Sequence, residues 1–258
     1  MAVESFTITS LDRSEVLRYL GYAGQEISPE LDARIDEGIA HALEVGRPRG
    51  VWRVFDVAGR DEGDGADGRD AKDELGSHDA EGEPDGHGAP SVHLAGTSLV
   101  LRGHDIAEHL AGAVSVGVFA VTAGMGIDQE IRRLSLTDPL AQTVFDVAGS
   151  TLVERAADAV EARLVGEAAA RGQYVNWRFS PGYGDLPLDI QPVVLRTLDA
   201  TRQLGITLTP TNLMVPTKSV TAVIGFFTAP QASRKVTCQY CYCREFCTIR
   251  ASGRTCHG

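Results

Sequence analysis

A chain of 258 residues, 43% of them hydrophobic, is long enough to bury a substantial core as one large domain or two small ones. Its formal net charge of −11 argues against affinity for nucleic-acid phosphates, which depends on basic patches. Most of that charge is local: residues 61–87 hold eleven acids against Arg69 and Lys72, a balance of −9, so the remainder is close to neutral.

In chain order, Asp12 followed by Glu15 forms a capping-box start for a helix over Arg13–Leu20, with Gly21 just past its end. Ser28 and Pro29 then open a second helix, whose Leu31, Ile35, Ile39 and Leu43 recur every four residues until Gly46 stops it. Gly50–Val57 alternates as a strand, and strand character resumes over His93–Leu101. Between them, the insert at 58–91 is dominated by Gly, Asp and Glu, with Leu75 its only large apolar residue in the acidic stretch. It buries too little surface to offset its ordering entropy and is expected to be disordered.

A short helix around Asp105–Leu110 and a buried strand Val114–Thr122 follow, with a glycine turn at Gly124 and Gly126. The apolar run Ala111–Ile127 is short for a membrane span and contains four glycines, so a strand and turn are expected there. From Asp138 and Pro139 to Arg171 the pattern is helical, with Val144, Ala148, Leu152, Ala156 and Val160 in step. A further helix carries Ile190, Val193, Val194 and Leu198 and ends at Leu204 and Gly205, and Ser219–Phe227 reads as a late strand. Irregular mixing of strands and helices favours an α+β fold, with a mixed or antiparallel sheet and flanking helices. Met1–Ser5 has neither the basic nor the apolar region of a signal peptide, so a cytoplasmic location is expected.

The loop Arg178-Phe179-Ser180-Pro181-Gly182-Tyr183-Gly184-Asp185 lies between two helical segments. Arginine offers a planar fork that matches a carboxylate, glycines let backbone approach a ligand, and a tyrosine face can lie against a cation. The same residues also fit an ordinary Pro-Gly turn with a surface arginine.

This stretch, as Arg-x-x-x-Gly-Tyr, resembles the signature of the activation domain of cobalamin-dependent methionine synthase. Further resemblance comes from Val116–Gly124, from Gly205–Thr209 and from Leu213–Thr221, so that it covers roughly residues 105–228. The resemblance implies that Arg178 pairs with the carboxylate of S-adenosylmethionine, that Phe179 and Ser180 offer backbone to the adenosine, and that Gly182 and Tyr183 lie beside the ligand, Tyr183 next to the reacting groups as the catalytic-site residue. It also implies a carboxylate on the preceding helix for the ligand amine, with Asp158 the best-aligned residue and Glu154 one turn earlier. The pattern departs from the family at Gly184-Asp185-Leu186-Pro187, where the fused domains continue Pro-Ala-Cys, and no Asp-Trp counterpart is found near the N-terminus.

The resemblance further implies a free-standing reactivation component that remethylates oxidised cobalamin on a separate synthase polypeptide, with an electron from a flavodoxin- or ferredoxin-like donor. Three regions are expected: an N-terminal α/β portion 1–104, an S-adenosylmethionine-binding core 105–228 and a Cys-rich tail 229–258. His109 lies four residues after Asp105, whereas the cobalt-ligating Asp-x-His motif needs two, so His109 is expected to be a plain helix residue and cobalamin to arrive on the partner.

All five cysteines fall in the last twenty-one residues. Cys238, either Cys241 or Cys243, and Cys247, completed by Cys256 or His257, have spacings suited to zinc or to an iron–sulfur cluster. Arg234, Lys235, Arg244, Arg250 and Arg254 favour their thiolate forms. Two other functions fit the sequence: a metal-binding scaffold or S-adenosylmethionine-sensing adaptor without catalysis, and an iron–sulfur reductive activator of another corrinoid methyltransferase.

Overall fold

The computed structural model describes residues 3–22, 24–63 and 88–231. The insert expected to be disordered over 58–91 is narrower at both ends, because residues 58–61 and 91 lie in paired strands with Asp61 opposite Ser91; residues 64–87, and every residue of the Cys-rich tail from 232 onward with the metal ligands expected there, lie outside the described residues.

The chain opens with strand β1 (Val3–Ser5) and helices α1 (Arg13–Tyr19) and α2 (Pro29–Val45). Both helices begin where the sequence places them: the Asp12 carboxylate accepts the Ser14 N–H at 2.8 Å, and Ser28 Oγ accepts the Leu31 N–H at 3.3 Å. These side chains satisfy amide donors that the first helical turn leaves unpaired. Strand β2 (Arg49–Asp61) follows, and after the insert come β3 (Ser91–Leu94), β4 (Val100–Arg102) and α3 (His104–His109). The single strand expected over His93–Leu101 is thus two strands. The chain reverses between them at Gly96, whose φ of +70° suits a residue without Cβ, and Val92 pairs with Leu101.

Central strand β5 (Ser115–Thr122) leads into α4 (Met125–Thr137) and the long α5 (Pro139–Ala170). A turn was expected at Gly124 and Gly126. Gly124, at φ +94°, instead marks the boundary of α4, and Gly126 belongs to that helix. After β6 (Tyr174–Val175) the chain makes a 3-10 turn (Leu188–Ile190), then α6 (Gln191–Thr197), α7 (Ala200–Leu204), the small hairpin β7 (Thr207–Leu208) and β8 (Met214–Val215), and β9 (Ser219–Phe227). The helix expected up to Leu204 is interrupted at Asp199, which takes the left-handed conformation at φ +50°.

The strands form a seven-stranded antiparallel sheet in the order β4-β3-β2-β5-β9-β6, with β1 also paired to β2. The α+β class read from the sequence is the one observed. Strands from residues 1–104 and from 105–228 share this one sheet: β2 pairs with β5 from Arg49 opposite Thr122 to Asp56 opposite Ser115.

Every residue of β5 is buried, because both sheet faces are covered and the alternating side chains enter two different cores. Val116, Val118 and Ala120 join Val223 in the core under α3, α6 and α7. Phe119 and Val121 join Ala222, Ile224 and Phe226 in the core under α5, with Ile127 and Leu134 of α4. Edge strand β6 lies where a helix from each layer comes close: α5 on one side and, through Asn176 just beyond the strand, α3 on the other.

Candidate functional site

Beyond β6 the chain stays extended along β9. The Phe179 N–H donates to Val223 O, and the Val223 N–H donates to Phe179 O, both at 2.9 Å. Phe179 leans into the core under α3, whereas Arg178 turns to α5. There its Nη1 donates to Asp158 Oδ1 at 2.7 Å and to Glu161 Oε2 at 2.9 Å, and its Nη2 donates to Glu154 Oε2 at 2.8 Å. Residues 154, 158 and 161 stand at helical spacing on one face of α5, so one guanidinium bridges two turns of helix.

Burial alone would push the Arg178 charge toward neutrality. The Asp158 hydrogen bond and the fields of Glu154, Asp158 and Glu161 outweigh that penalty and raise its pKa above the ordinary arginine value. Arg155 adds a weaker contact to Asp158 at 3.6 Å. The cluster as a whole has more carboxylates than guanidinium groups.

The structure thus brings together Arg178, Asp158 and Glu154, three residues singled out in the sequence, and adds Glu161. Helical spacing was the available signal for it, since Glu161 lies one turn beyond Asp158 and two beyond Glu154.

After Arg178 the loop closes on itself. The Gly182 N–H donates to Leu186 O at 2.7 Å, the Tyr183 N–H to Ser180 O at 3.1 Å and the Leu186 N–H to Tyr183 O at 3.1 Å. Gly182 adopts φ +90°, which lets the chain fold back so that Leu186 inserts into the core while Tyr183 remains 67% exposed at the tip. Phe179 is a different case: both of its main-chain polar groups already pair with Val223. Asp185, where the sequence departs from the family pattern, caps α3 from outside, its carboxylate accepting the His104 and Asp105 N–H groups.

On the far side of the loop, His109 ends α3. Its Nε2 donates to Trp177 O at 3.0 Å, and its ring lies 4.9 Å from the Trp177 ring and 5.1 Å from that of Phe179. Burial lowers its pKa to about 4, only partly opposed by the Trp177 hydrogen bond, so the imidazole is neutral at pH 7. Among the described residues, no three His, Cys, Asp or Glu side chains are grouped to hold a metal ion.

The model of the vitamin B12-dependent methionine synthase activation domain matches residues 106–240, just over half of the chain. The chain belongs to that family. An activation-domain fold is also seen by comparison with solved structures: a crystal structure of the MetH reactivation domain bound to AdoHcy superposes with a TM-score of 0.59 at 15% identity, covering 99% of this chain and 87% of that one. At this identity the likeness is one of fold. No relative was found among curated protein sequences. The matched span begins in α3, includes all of α5, the Arg178 loop and β9, and so contains every residue of the cluster described above. No helix among the described residues of this activation domain is long and apolar enough to cross a membrane.

Proposed function

We propose that this activation domain binds S-adenosylmethionine at the Arg178 cluster and presents its methyl group to a cobalamin carried by a separate synthase polypeptide. The observation that supports this most is the exchange the cluster permits. A guanidinium within hydrogen-bond distance of each of three carboxylates is the complement of an amino-acid zwitterion. The ligand carboxylate takes the fork of Arg178, and the ammonium takes a carboxylate so released, Asp158 or Glu154 first. Glu161 then keeps Arg178 on α5.

Tyr183, at the exposed tip of the loop, lies beside the sulfonium and orients it; no proton transfer is assigned to it. Ser180 and Gly182 set the loop against the adenosine, and Phe179 fixes the loop to β9. Reduction of partner-borne Co(II) by one electron from a flavodoxin- or ferredoxin-like donor, followed by attack on the sulfonium methyl carbon with cleavage of its C–S bond, yields methylated cobalt and S-adenosylhomocysteine. The contribution of this chain is alignment of the methyl group.

The tail fits a second element of the same reading. Cys238, Cys241 or Cys243, and Cys247, with Cys256 or His257 as the fourth ligand, hold zinc or an iron–sulfur cluster. Protein purified without oxygen is expected to carry bound metal that Cys241→Ser lowers. Visible absorbance that bleaches with a reductant assigns iron–sulfur chemistry, a colourless zinc-loaded protein assigns a structural clip, and metal-free protein with five reactive thiols contradicts both.

The reactivation reading is tested by mixing the protein with a cobalamin-loaded synthase, a reduced electron donor and S-adenosylmethionine. The Co(II) spectrum is expected to convert to that of methylcobalamin only when all are present. Conversion at the same rate without this protein, or with S-adenosylmethionine omitted, contradicts it.

A further inference from the structure

The ladder that delivers Arg178 contains one residue too many. Tyr174 and Val175 pair with Phe227 and Phe226, and the Asn176 N–H donates to Gly225 O at 3.3 Å, so the register is regular up to this point. Phe179 then pairs with Val223. Two residues, Trp177 and Arg178, stand opposite Ile224 alone. This is a β-bulge, a device that bends a strand and re-aims a side chain.

Two side chains hold it open. The Gly225 N–H, which a regular antiparallel ladder would give to the main-chain carbonyl of Asn176, goes to Asn176 Oδ1 at 2.8 Å. The same amide then donates from Nδ2 to His109 O at 2.7 Å. His109 returns the contact through Nε2 to Trp177 O and packs its ring against the rings on both sides of Arg178. Asn176 is buried, and Gly225 has no room for a side chain, since a Cβ there would lie 2.7 Å from Phe227 Cε2 and 3.1 Å from Leu110 Cδ2. The bulge is therefore fixed from α3 and from β9 at once.

We infer that His109 and Asn176 are positioning residues for the ligand carboxylate: by pinning the Trp177–Arg178 bulge they aim the Arg178 fork, without touching ligand themselves. This rests on the S-adenosylmethionine reading above. Arg178 must lie within a few tenths of an ångström of its place to make two parallel hydrogen bonds to a carboxylate, and such precision comes from the shell behind it.

The test is the affinity of wild type, His109→Phe and Asn176→Ala for two probes, S-adenosylmethionine and decarboxylated S-adenosylmethionine, which lacks only the group Arg178 would hold. His109→Phe keeps a ring between Trp177 and Phe179 and removes only the donor, so it remains informative even where Asn176→Ala fails to fold. Both variants are expected to bind S-adenosylmethionine about tenfold more weakly, the loss expected of a misaligned charge-assisted bond, with little change for the decarboxylated probe. Equal weakening for both probes, or no weakening in folded protein, overturns the inference. A wild type that binds neither probe overturns the ligand reading beneath it, and one that binds both equally removes the carboxylate role of Arg178.

Discussion

Replacing His109 by phenylalanine should remove the loss of stability that this side chain causes between about pH 6.5 and about pH 4. In the native state burial holds the imidazole neutral down to about pH 4, whereas in the unfolded chain it takes up a proton near its ordinary value of 6.5. Between those values the unfolded state binds more protons, so the His109 contribution is fully present above pH 6.5, declines as the pH falls, and levels off below about pH 4. The displacement corresponds to a differential effect on the order of 3 kcal/mol. Denaturant unfolding of wild type and His109→Phe at a series of pH values should give stability curves that converge as the pH is lowered through this window. Parallel curves would mean that His109 is not held neutral.

Truncation of Phe119 to alanine is expected to have a comparable or larger effect at neutral pH. This ring is wholly buried in β5, between the sheet and α5, in the core with Leu152, Ala156 and Leu164. Large-to-small changes at such sites cost about 3–5 kcal/mol, because the transfer energy is lost and the cavity only partly collapses. In a domain of this size that lowers the melting temperature by roughly 10 °C. The same cavity loosens the seat of α5, so the variant should also bind S-adenosylmethionine more weakly when assayed below its melting temperature. A melting temperature within a degree or two of wild type would contradict the assigned packing.

What the sequence disclosed depended on how locally each feature is determined. Asp12, Ser28 and Gly46 delimit helices through their nearest neighbours, and the β9 strand carries its own apolar pattern, so these boundaries are legible from short stretches. Helix α4 was hidden because Gly124 and Gly126 have the composition of a turn; one of them borders the helix and the other lies inside it. Strands β6, β7 and β8 have two residues each, too few for any periodicity, and exist because β9 or one another supplies the hydrogen bonds.

The site divides in the same way. Arg178 belonged to a recognisable motif, and Glu154, Asp158 and Glu161 share a helical face that spacing alone implies. Asn176 and His109 had no such signal. The sequence presents His109 as a helix residue with the wrong spacing for cobalt, which says nothing of its reach to Trp177, sixty-eight positions away. A bulge is invisible until the partner strand is known, because it is a difference in count between two segments, 176–179 and 223–225.

The measurement that bears most directly on the central claim is calorimetric titration of the purified protein with S-adenosylmethionine, wild type beside Arg178→Ala, with circular dichroism confirming that both are folded. Saturable binding by wild type and its loss in the variant are expected, because the guanidinium proposed to hold the ligand carboxylate is gone. Equal binding by the two proteins would place the ligand elsewhere and contradict the assignment of the α5 cluster as its site.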